Sequence, residues 1–172
     1  CNSHCQMCNI WRMKPKKELT FLKWEKVIQD PIFYSIERLV VAGGEPLLHP
    51  QIIELSRLFL QSMPKLKQFI LITNGFLPQK TEKVVRELII LTKKKNINFS
   101  VSVSLDGIGK MHDLIRGTLG AFQKTEKTIL NLKRLKKHYD FWLGVSGVIC
   151  QINLYEIKKV EKWCKKNNLP FY

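Results

Sequence analysis

The chain has 172 residues, of which 45% are hydrophobic, and it carries a formal net charge of +15 at pH 7. This length and composition predict one globular domain with a single core. The chain has no run of about 18 apolar residues and no signal-peptide pattern, which argues against a membrane-spanning or secreted protein and predicts a cytoplasmic one. Because residue 1 is not Met and residues 169–172 resemble the start of another extended segment, we expect a piece of a longer protein.

The positive charge is concentrated in clusters of lysine, a feature that can indicate a nucleic-acid partner. The clusters occupy residues 14–17, 93–95, 133–137 and 165–166. They fall in predicted loops or at helix ends, and no aromatic residues that could stack on bases are interleaved with them. We therefore predict a solvated basic exterior rather than a nucleic-acid interface.

The first half of the chain alternates helices with strands. Apolar periodicity predicts, in chain order, a helix over 21–29, a buried strand over 36–42, a helix through Ile52, Leu55 and Phe59, and a strand over 69–73. Gly43-Gly44 ends the first strand and Asn74-Gly75 ends the second, since both pairs favour turns.

The second half continues the same alternation. The predicted elements are a helix through Val84, Leu88 and Leu91, a strand over 99–105, a helix through Phe122, Ile129, Leu132 and Leu135, a strand over 142–149, and a helix through Leu154, Ile157, Val160 and Cys164. Strands that alternate regularly with helices predict a parallel sheet and an α/β fold.

The strand over 99–105 indicates how the sheet is covered. Its apolar residues Phe99, Val101, Val103 and Leu105 alternate with Ser100, Ser102 and Ser104. A strand with helices on both of its faces is usually apolar on both. The alternation therefore predicts a curved, open, TIM-like barrel with a polar interior rather than a flat sheet between two helical layers.

Three of the five cysteines, Cys1, Cys5 and Cys8, lie within the first eight residues. Such closely spaced thiolates can converge on one metal centre, whereas an odd number of cysteines without a secretory context argues against a disulfide framework. A zinc site would require His4 as the fourth ligand, but adjacent to Cys5 it would have difficulty joining the same tetrahedral sphere. A four-iron cluster held by three cysteines would instead leave one iron open for a ligand.

The CxxxCxxC spacing of these cysteines, followed by Gly43-Gly44-Glu45-Pro46 after the first predicted strand, resembles the pattern of the radical S-adenosylmethionine (radical SAM) superfamily. The resemblance implies that Cys1, Cys5 and Cys8 hold a [4Fe-4S] cluster. It further implies that the open iron is chelated by the amino and carboxylate groups of S-adenosylmethionine.

In that family the GGEP segment lies along the methionyl amino group of the cosubstrate. The resemblance thus implies that Gly43, Gly44, Glu45 and Pro46 bind S-adenosylmethionine, with backbone carbonyls or the carboxylate as acceptors for the ammonium. Taken without the cysteines, the same four residues would predict only a strand end and a turn.

A second block, SLDG at 104–107 followed by His112-Asp113 and Arg116-Gly117, resembles the SxDGxxxxHDxxRG stretch of the peptide-maturing and sulfatase-maturing, SPASM-type branch. The resemblance implies that Ser104 and Arg116 contact the carboxylate or ribose of the cosubstrate, and that Asp106 holds the loop or contacts the ribose. It places Asn74 near the ribose hydroxyls, although a plain turn explains Asn74 equally well.

The family barrel normally has a strand before the first cysteine and another after the point where residue 172 lies. Residues 1–172 are therefore expected to form a radical SAM core domain that is truncated at both ends, with a partial (β/α)6-type barrel. The resemblance implies an enzyme that cleaves S-adenosylmethionine reductively to a 5'-deoxyadenosyl radical, which abstracts hydrogen from a substrate. No acid or base is assigned a catalytic role.

The implied partners are S-adenosylmethionine, an electron donor such as a flavodoxin or ferredoxin, and an unidentified substrate, for which the second block favours a peptide or protein. Two other functions stay open. One is a zinc-binding, basic nucleic-acid module that uses Cys1, Cys5, Cys8 and His4. The other is an iron-sulfur scaffold or sensor that has lost catalysis.

Overall fold

The structure is a computed structural model that describes residues 1–13 and 18–172. The predicted lysine cluster at 14–17 lies outside the described residues. Four strands form one parallel sheet: β1 (Arg38–Val41), β2 (Gln68–Thr73), β3 (Asn98–Ser104) and β4 (Trp142–Ser146). Their spatial order is their order in the chain, so each strand pairs with the next one.

Helices connect the strands. They are α1 (Phe21–Val27), α2 (Ile52–Ser62), α3 (Pro78–Lys94), α4 (Lys110–Arg116), α5 (Ala121–Leu135) and α6 (Ile157–Lys166), with 3-10 turns at Ile10–Arg12, Pro31–Ser35 and Pro46–Leu48. In the part of the chain that is described, no helix is both long and apolar enough to cross a lipid bilayer. The observed architecture confirms an α/β fold with an open parallel sheet, which corresponds to part of a TIM-like barrel.

The outer face of the sheet carries the hydrophobic core. The rings of Phe69, Phe99 and Phe141 pack in a row across neighbouring strands, with centroid distances of 6.0 and 6.2 Å. The next row, whose members have no exposed surface, consists of Leu71, Val101 and Leu143. Helices α3 and α5 cover this face and pack against each other. Burial of these rows drives the docking of the helices on the sheet.

The inner face is polar along β3, as the alternating serines predict. Ser100 and Ser102 are buried on this face, and the Ser102 and Ser146 hydroxyl oxygens lie 2.8 Å apart. The indole of Trp142 lies over Gly144, where any side chain at residue 144 would overlap the ring. Along β3 and β4 the inner face therefore carries hydroxyls and one large aromatic ring, whereas β1 and β2 present Val40, Ile70 and Ile72 to it.

The prediction of a buried first strand is wrong in its extent and its burial. The strand covers Arg38–Val41 rather than 36–42, and the Val40 side chain is 45% exposed. β1 is the edge of the described sheet, and Val40 points to the inner face, which the helices do not cover. Apolar character alone did not distinguish this edge position from a central one.

Three further boundaries differ from the sequence predictions. α1 ends at Val27, and β4 ends at Ser146 rather than at 149 because the Val148 N–H donates to the Asp106 carboxylate, not to a neighbouring strand. α6 begins at Ile157, so Leu154 lies outside it in a series of turns. Helix α4 lies within the second block, residues 104–117, which we call the second motif. No helix was predicted there. The other strand boundaries agree with the predictions to within one residue.

Candidate functional site

The cysteine loop, residues 1–8, lies against the carboxyl-terminal end of α4. The His4 N–H donates to the Arg116 carbonyl and the Gln6 N–H donates to the Ile115 carbonyl, both at 2.9 Å. The last carbonyls of a helix have no partner within the helix, so the loop provides their missing donors. Gly117 ends the helix with φ +57°, and a side chain there would collide with the His4 carbonyl. The cysteine loop, which together with residues 43–46 forms the first motif, is thus in direct contact with the second motif.

The three cysteines of the loop differ in their surroundings. Cys5 is buried, Cys8 is half-buried and Cys1 is exposed. Gly44, at the end of β1, approaches Cys1 so closely that an added Cβ would lie 3.2 Å from the Cys1 Cβ. The Trp11 indole N–H donates to the Cys5 carbonyl at 3.1 Å, which holds the chain beyond the loop. The Gly43–Pro46 segment after β1 therefore meets the cysteine loop.

The thiols have the chemistry of iron-sulfur ligands. Within the described residues, no three His, Cys, Asp or Glu side chains converge closely enough to hold one metal ion. In a four-iron cluster each thiolate binds a different iron, so the ligands stand further apart. The His4 ring packs edge-on against Trp11, with centroids 4.9 Å apart. The donor set, three thiolates with the His4 ring held against Trp11, therefore fits a cluster bound by three cysteines.

Glu45 joins the ends of two strands. One oxygen of its carboxylate accepts hydrogen bonds from the Leu47 N–H at 3.2 Å and the Thr73 hydroxyl at 2.9 Å, and the other accepts from the Asn74 N–H at 2.8 Å. Burial raises the pKa of Glu45, while these donors and the charge of Arg116 act in the opposite direction. A carboxylate can accept about four hydrogen bonds, so one acceptor position is left for a ligand.

Asn74 connects the end of β2 to the cysteine loop. Its side-chain amide donates to the Asn2 side-chain oxygen at 2.8 Å, and its own oxygen accepts from the Phe76 N–H. The Thr125 hydroxyl of α5 donates to the Asn74 backbone carbonyl. Asn74 therefore does more than close a turn, because it also positions the beginning of the loop.

Asp106 and Arg116 form a buried ion pair. Arg116 Nε lies 2.6 Å from Asp106 Oδ2, with a direction that makes the contact one of charges rather than an aligned hydrogen bond. The other Asp106 oxygen accepts from the Val148 N–H at 2.9 Å. Ser104 ends β3 beside Ser146 and is half-buried, so it stands at the same edge of the sheet.

His112 supports this pair without carrying charge. Its Nδ1 accepts from the Asp106 N–H at 3.1 Å, and its Nε2 faces the Thr125 hydroxyl at 3.4 Å. Burial, and then the nearby charge of Arg116, lower the pKa of His112 to about 3. The ring is therefore neutral at physiological pH and anchors the loop.

The sequence did not point to Asn2, Ser3 or Asn153. Ser3 contacts Cys5, and the buried Asn153 side chain donates to the carbonyls of Asp106 and Val148. Asparagine and serine are common in loops, so nothing in their spacing separates these residues from ordinary turn residues. For Asn2 and Ser3, the only signal in the sequence is their position between Cys1 and Cys5.

The predicted site lies at the carboxyl ends of the strands, where barrels of this kind place their active sites. A cavity of about 930 Å³ opens at the other edge, beside Arg38, Gln68, Asn98 and Trp142, which begin the four strands. None of the predicted site residues lines it. Its position makes it a feature of the open barrel floor rather than of the site.

Three relatives with different names illustrate what the chain is similar to. The chain is 30% identical over 169 residues to the AdoMet-dependent heme synthase of Methanosarcina barkeri, covering 96% of this chain and 44% of that protein. It is 28% identical over 159 residues to the subtilosin biosynthesis protein AlbA of Bacillus subtilis, covering 91% and 33%. It is 29% identical over 165 residues to the sporulation killing factor maturation protein SkfB of Bacillus subtilis, covering 95% and 37%. The chain spans less than half the length of each of these proteins.

The same fold occurs in a solved structure described as native anSMEcpe with bound AdoMet and Kp18Cys peptide. The TM-score is 0.72 at 23% sequence identity, and the match covers 99% of this chain and 46% of that one. At this identity the likeness establishes the fold. The family model described as Radical SAM superfamily matches residues 1–149, which include both motifs and all four strands. The chain therefore belongs to the radical SAM superfamily, and its relatives include SPASM-type maturases.

Proposed function

We propose that residues 1–172 are the core domain of a radical SAM enzyme. In this proposal Cys1, Cys5 and Cys8 hold a [4Fe-4S] cluster. The residues proposed to bind S-adenosylmethionine are Gly43, Gly44, Glu45, Pro46, Asn74, Ser104, Asp106 and Arg116. When bound, the cluster and S-adenosylmethionine supply the one-electron chemistry that yields a 5'-deoxyadenosyl radical able to abstract hydrogen from a substrate.

One observation carries the proposal: the cysteine loop touches the ends of successive strands through the residues of both motifs. Cys1 packs on Gly44 after β1, and Asn2 accepts a hydrogen bond from Asn74 after β2. Cys5 contacts Arg116, which follows β3. A zinc-binding module would require none of these contacts. These contacts hold the thiols beside the strand ends, where the proposed cosubstrate would bind.

The chain's residues have the groups needed to bind an amino acid zwitterion and a ribose. Gly43 has φ +134° and open space on its side-chain side, so a ligand can approach its backbone. Glu45 keeps an acceptor position for an ammonium. Arg116 Nε is paired with Asp106 by charge and Nη1 donates to Cys5, so the other N–H groups of the guanidinium can bind a carboxylate. Burial of these charged groups strengthens their interaction with a ligand.

For the substrate we propose a peptide or protein. The second motif and the similarity to SkfB and AlbA, which are named for maturation and bacteriocin biosynthesis, support this class. A heme-type substrate is the second candidate, because the relative with 30% identity is named a heme synthase. The proposed electron donor is a flavodoxin or ferredoxin, and the cytoplasmic location stays a prediction.

The test uses the full-length protein, purified without oxygen and supplied with iron and sulfide. We expect the reduced protein to show a four-iron electron paramagnetic resonance signal that changes when S-adenosylmethionine is added, and to release 5'-deoxyadenosine. Cys5→Ala should abolish both results. Cys150→Ala is the matched control, because Cys150 is half-buried in the loop after β4 and belongs to neither motif.

Each alternative predicts a different outcome. Zinc in place of iron would contradict the proposal and favour the nucleic-acid module. A four-iron cluster without cleavage of S-adenosylmethionine would favour a scaffold or sensor. If cleavage occurs, product analysis with a maturation-type peptide and with a heme precursor separates the two substrate classes.

A further inference from the structure

Cys5 has a different environment from the other two cysteines of the loop. Its residue surface is 8% exposed, whereas Cys1 is exposed and Cys8 is half-buried. The Ser3 hydroxyl oxygen lies 3.0 Å from the Cys5 sulfur, and Arg116 Nη1 lies 3.7 Å from it. Among the residues that the structure describes, Cys5 is the one loop cysteine whose sulfur has side-chain hydrogen-bond partners. The three sulfurs are therefore not equivalent.

Of the two side chains beside the Cys5 sulfur, Arg116 donates a hydrogen bond to it whether Cys5 is a thiol or a thiolate. The Ser3 hydroxyl has one hydrogen, and the Arg116 carbonyl, 3.1 Å away, is a second acceptor for it. With Cys5 as a thiol, the S–H can donate to Ser3 while Ser3 donates to that carbonyl. With Cys5 as a metal-bound thiolate, the two acceptors compete for the Ser3 hydrogen. A guanidinium has no acceptor, so Arg116 can only donate to the sulfur in either state.

Asp106 fixes the direction of the guanidinium. Its Oδ2 lies 2.6 Å from Arg116 Nε, and the side chains are 0% and 10% exposed, respectively. Asp106 is itself held, because it accepts from the Val148 N–H and its backbone N–H donates to His112. The guanidinium therefore cannot rotate away from Cys5 without separating a buried ion pair, which is strongly unfavourable.

We infer that Arg116, positioned by Asp106, raises the reduction potential of the cluster through its hydrogen bond to the Cys5 sulfur. This inference rests on the proposed function, which assigns Cys5 as a cluster ligand. Hydrogen bonds to the sulfurs and nearby charge both set the potential of an iron-sulfur cluster. A fixed cation at a ligating sulfur stabilises the electron added on reduction. The second motif thus acts on the cluster as well as on the cosubstrate.

The test is a redox titration of the full-length protein, followed by electron paramagnetic resonance without S-adenosylmethionine, so that contacts to the cosubstrate do not contribute. The variant combines Arg116→Met with Asp106→Asn, because removal of the arginine alone would leave a buried, unpaired carboxylate. At the potential where the wild-type cluster is half reduced, we expect the ratio of reduced to oxidised cluster in the double variant to be about tenfold lower than in the wild type. For one electron this corresponds to about 59 mV.

Two further variants complete the design. Arg116→Lys keeps a positive charge without the planar fork, so we expect a smaller decrease in the ratio. Arg86→Met is the matched control, since Arg86 forms an exposed ion pair with Glu82 on α3 and its loss should leave the potential unchanged.

The outcomes separate the inference from the proposed function. A double variant with a wild-type signal and an unchanged potential overturns the inference and leaves the proposed function intact. A double variant that is folded by circular dichroism but carries no cluster also overturns it, because Arg116 would then serve assembly. If the double variant does not fold, an unchanged reduction potential in Arg116→Lys also overturns the inference. Absence of a four-iron signal in the wild type contradicts the proposed function itself.

Discussion

Glu45 is a buried carboxylate whose environment contains opposing influences on its ionisation. Burial raises its pKa, whereas three hydrogen-bond donors and the charge of Arg116 lower it, and burial has the larger effect. The folded protein therefore holds a proton on Glu45 more tightly than the unfolded chain does. The stability that this proton contributes is present below the ordinary pKa of 4.5 and is lost as the pH rises through the raised pKa.

Glu45→Gln, which cannot titrate, isolates this effect. We expect the free energy of unfolding of the wild type, relative to the variant, to fall as the pH rises from 4.5 through the raised pKa. Urea denaturation of the full-length protein at a series of pH values measures the difference. Glu54→Gln, at an exposed position of α2, should show no such trend. A difference that grows with pH would mean that the hydrogen-bond donors outweigh burial.

At the scale of elements, the contact between α4 and the cysteine loop is the one that assembles the site. Two backbone hydrogen bonds join them, and the left-handed Gly117 lies directly beneath the His4 carbonyl. Gly120, at the start of α5, also has a positive φ of +74°, but the nearest atom to its missing side chain is 3.7 Å away on Gln123. These two glycines have the same backbone requirement and different surroundings.

Gly117→Ala and Gly120→Ala therefore separate backbone strain from displacement of the loop. Each should cost about 1–2 kcal/mol of stability for a side chain in the left-handed conformation. Only Gly117→Ala should also displace the cysteine loop and reduce the iron bound per chain, measured by metal analysis after reconstitution. Equal iron content in the two variants would show that the loop tolerates the added methyl group.

At the scale of the whole molecule, the net charge is +15, and several of the basic residues lie at the carboxyl ends of helices. The last turn of α3 contains Lys93 and Lys94, that of α5 contains Lys133 and Arg134, and that of α6 contains Lys165 and Lys166. Positive residues near helix carboxyl ends interact favourably with the helix dipole, which gives these lysines a local role. They do not require a polyanionic partner.

We therefore expect the full-length protein to bind a short RNA or DNA only non-specifically. Fluorescence anisotropy at physiological salt should give a dissociation constant no tighter than roughly 10⁻⁴–10⁻⁶ M, independent of sequence and weakening steeply as salt increases. Tight, sequence-dependent binding at the same salt concentration would contradict the prediction of a solvated basic surface and would favour the nucleic-acid module.

The sequence by itself determined the order and type of the main elements, and it predicted where the candidate site lies. Hydrophobic periodicity is a local property, so it located the strands and most helices, and the motifs followed strands whose carboxyl ends share one edge. It failed where local pattern is insufficient. The exposed edge strand β1, the early end of β4 and helix α4 all depend on neighbours that are distant in the chain.

Only the tertiary structure decided which side chains meet. Thr73 reaches Glu45 across 28 residues, Asn74 reaches Asn2 across 72, and Arg116 reaches Cys5 across 111. Such contacts are set by strand pairing and by the docking of α4 on the cysteine loop, and no local periodicity encodes them. The spacing of the cysteines predicts a metal centre. It does not predict the buried Arg116 beside the Cys5 sulfur, because the position of that arginine depends on how the whole sheet folds.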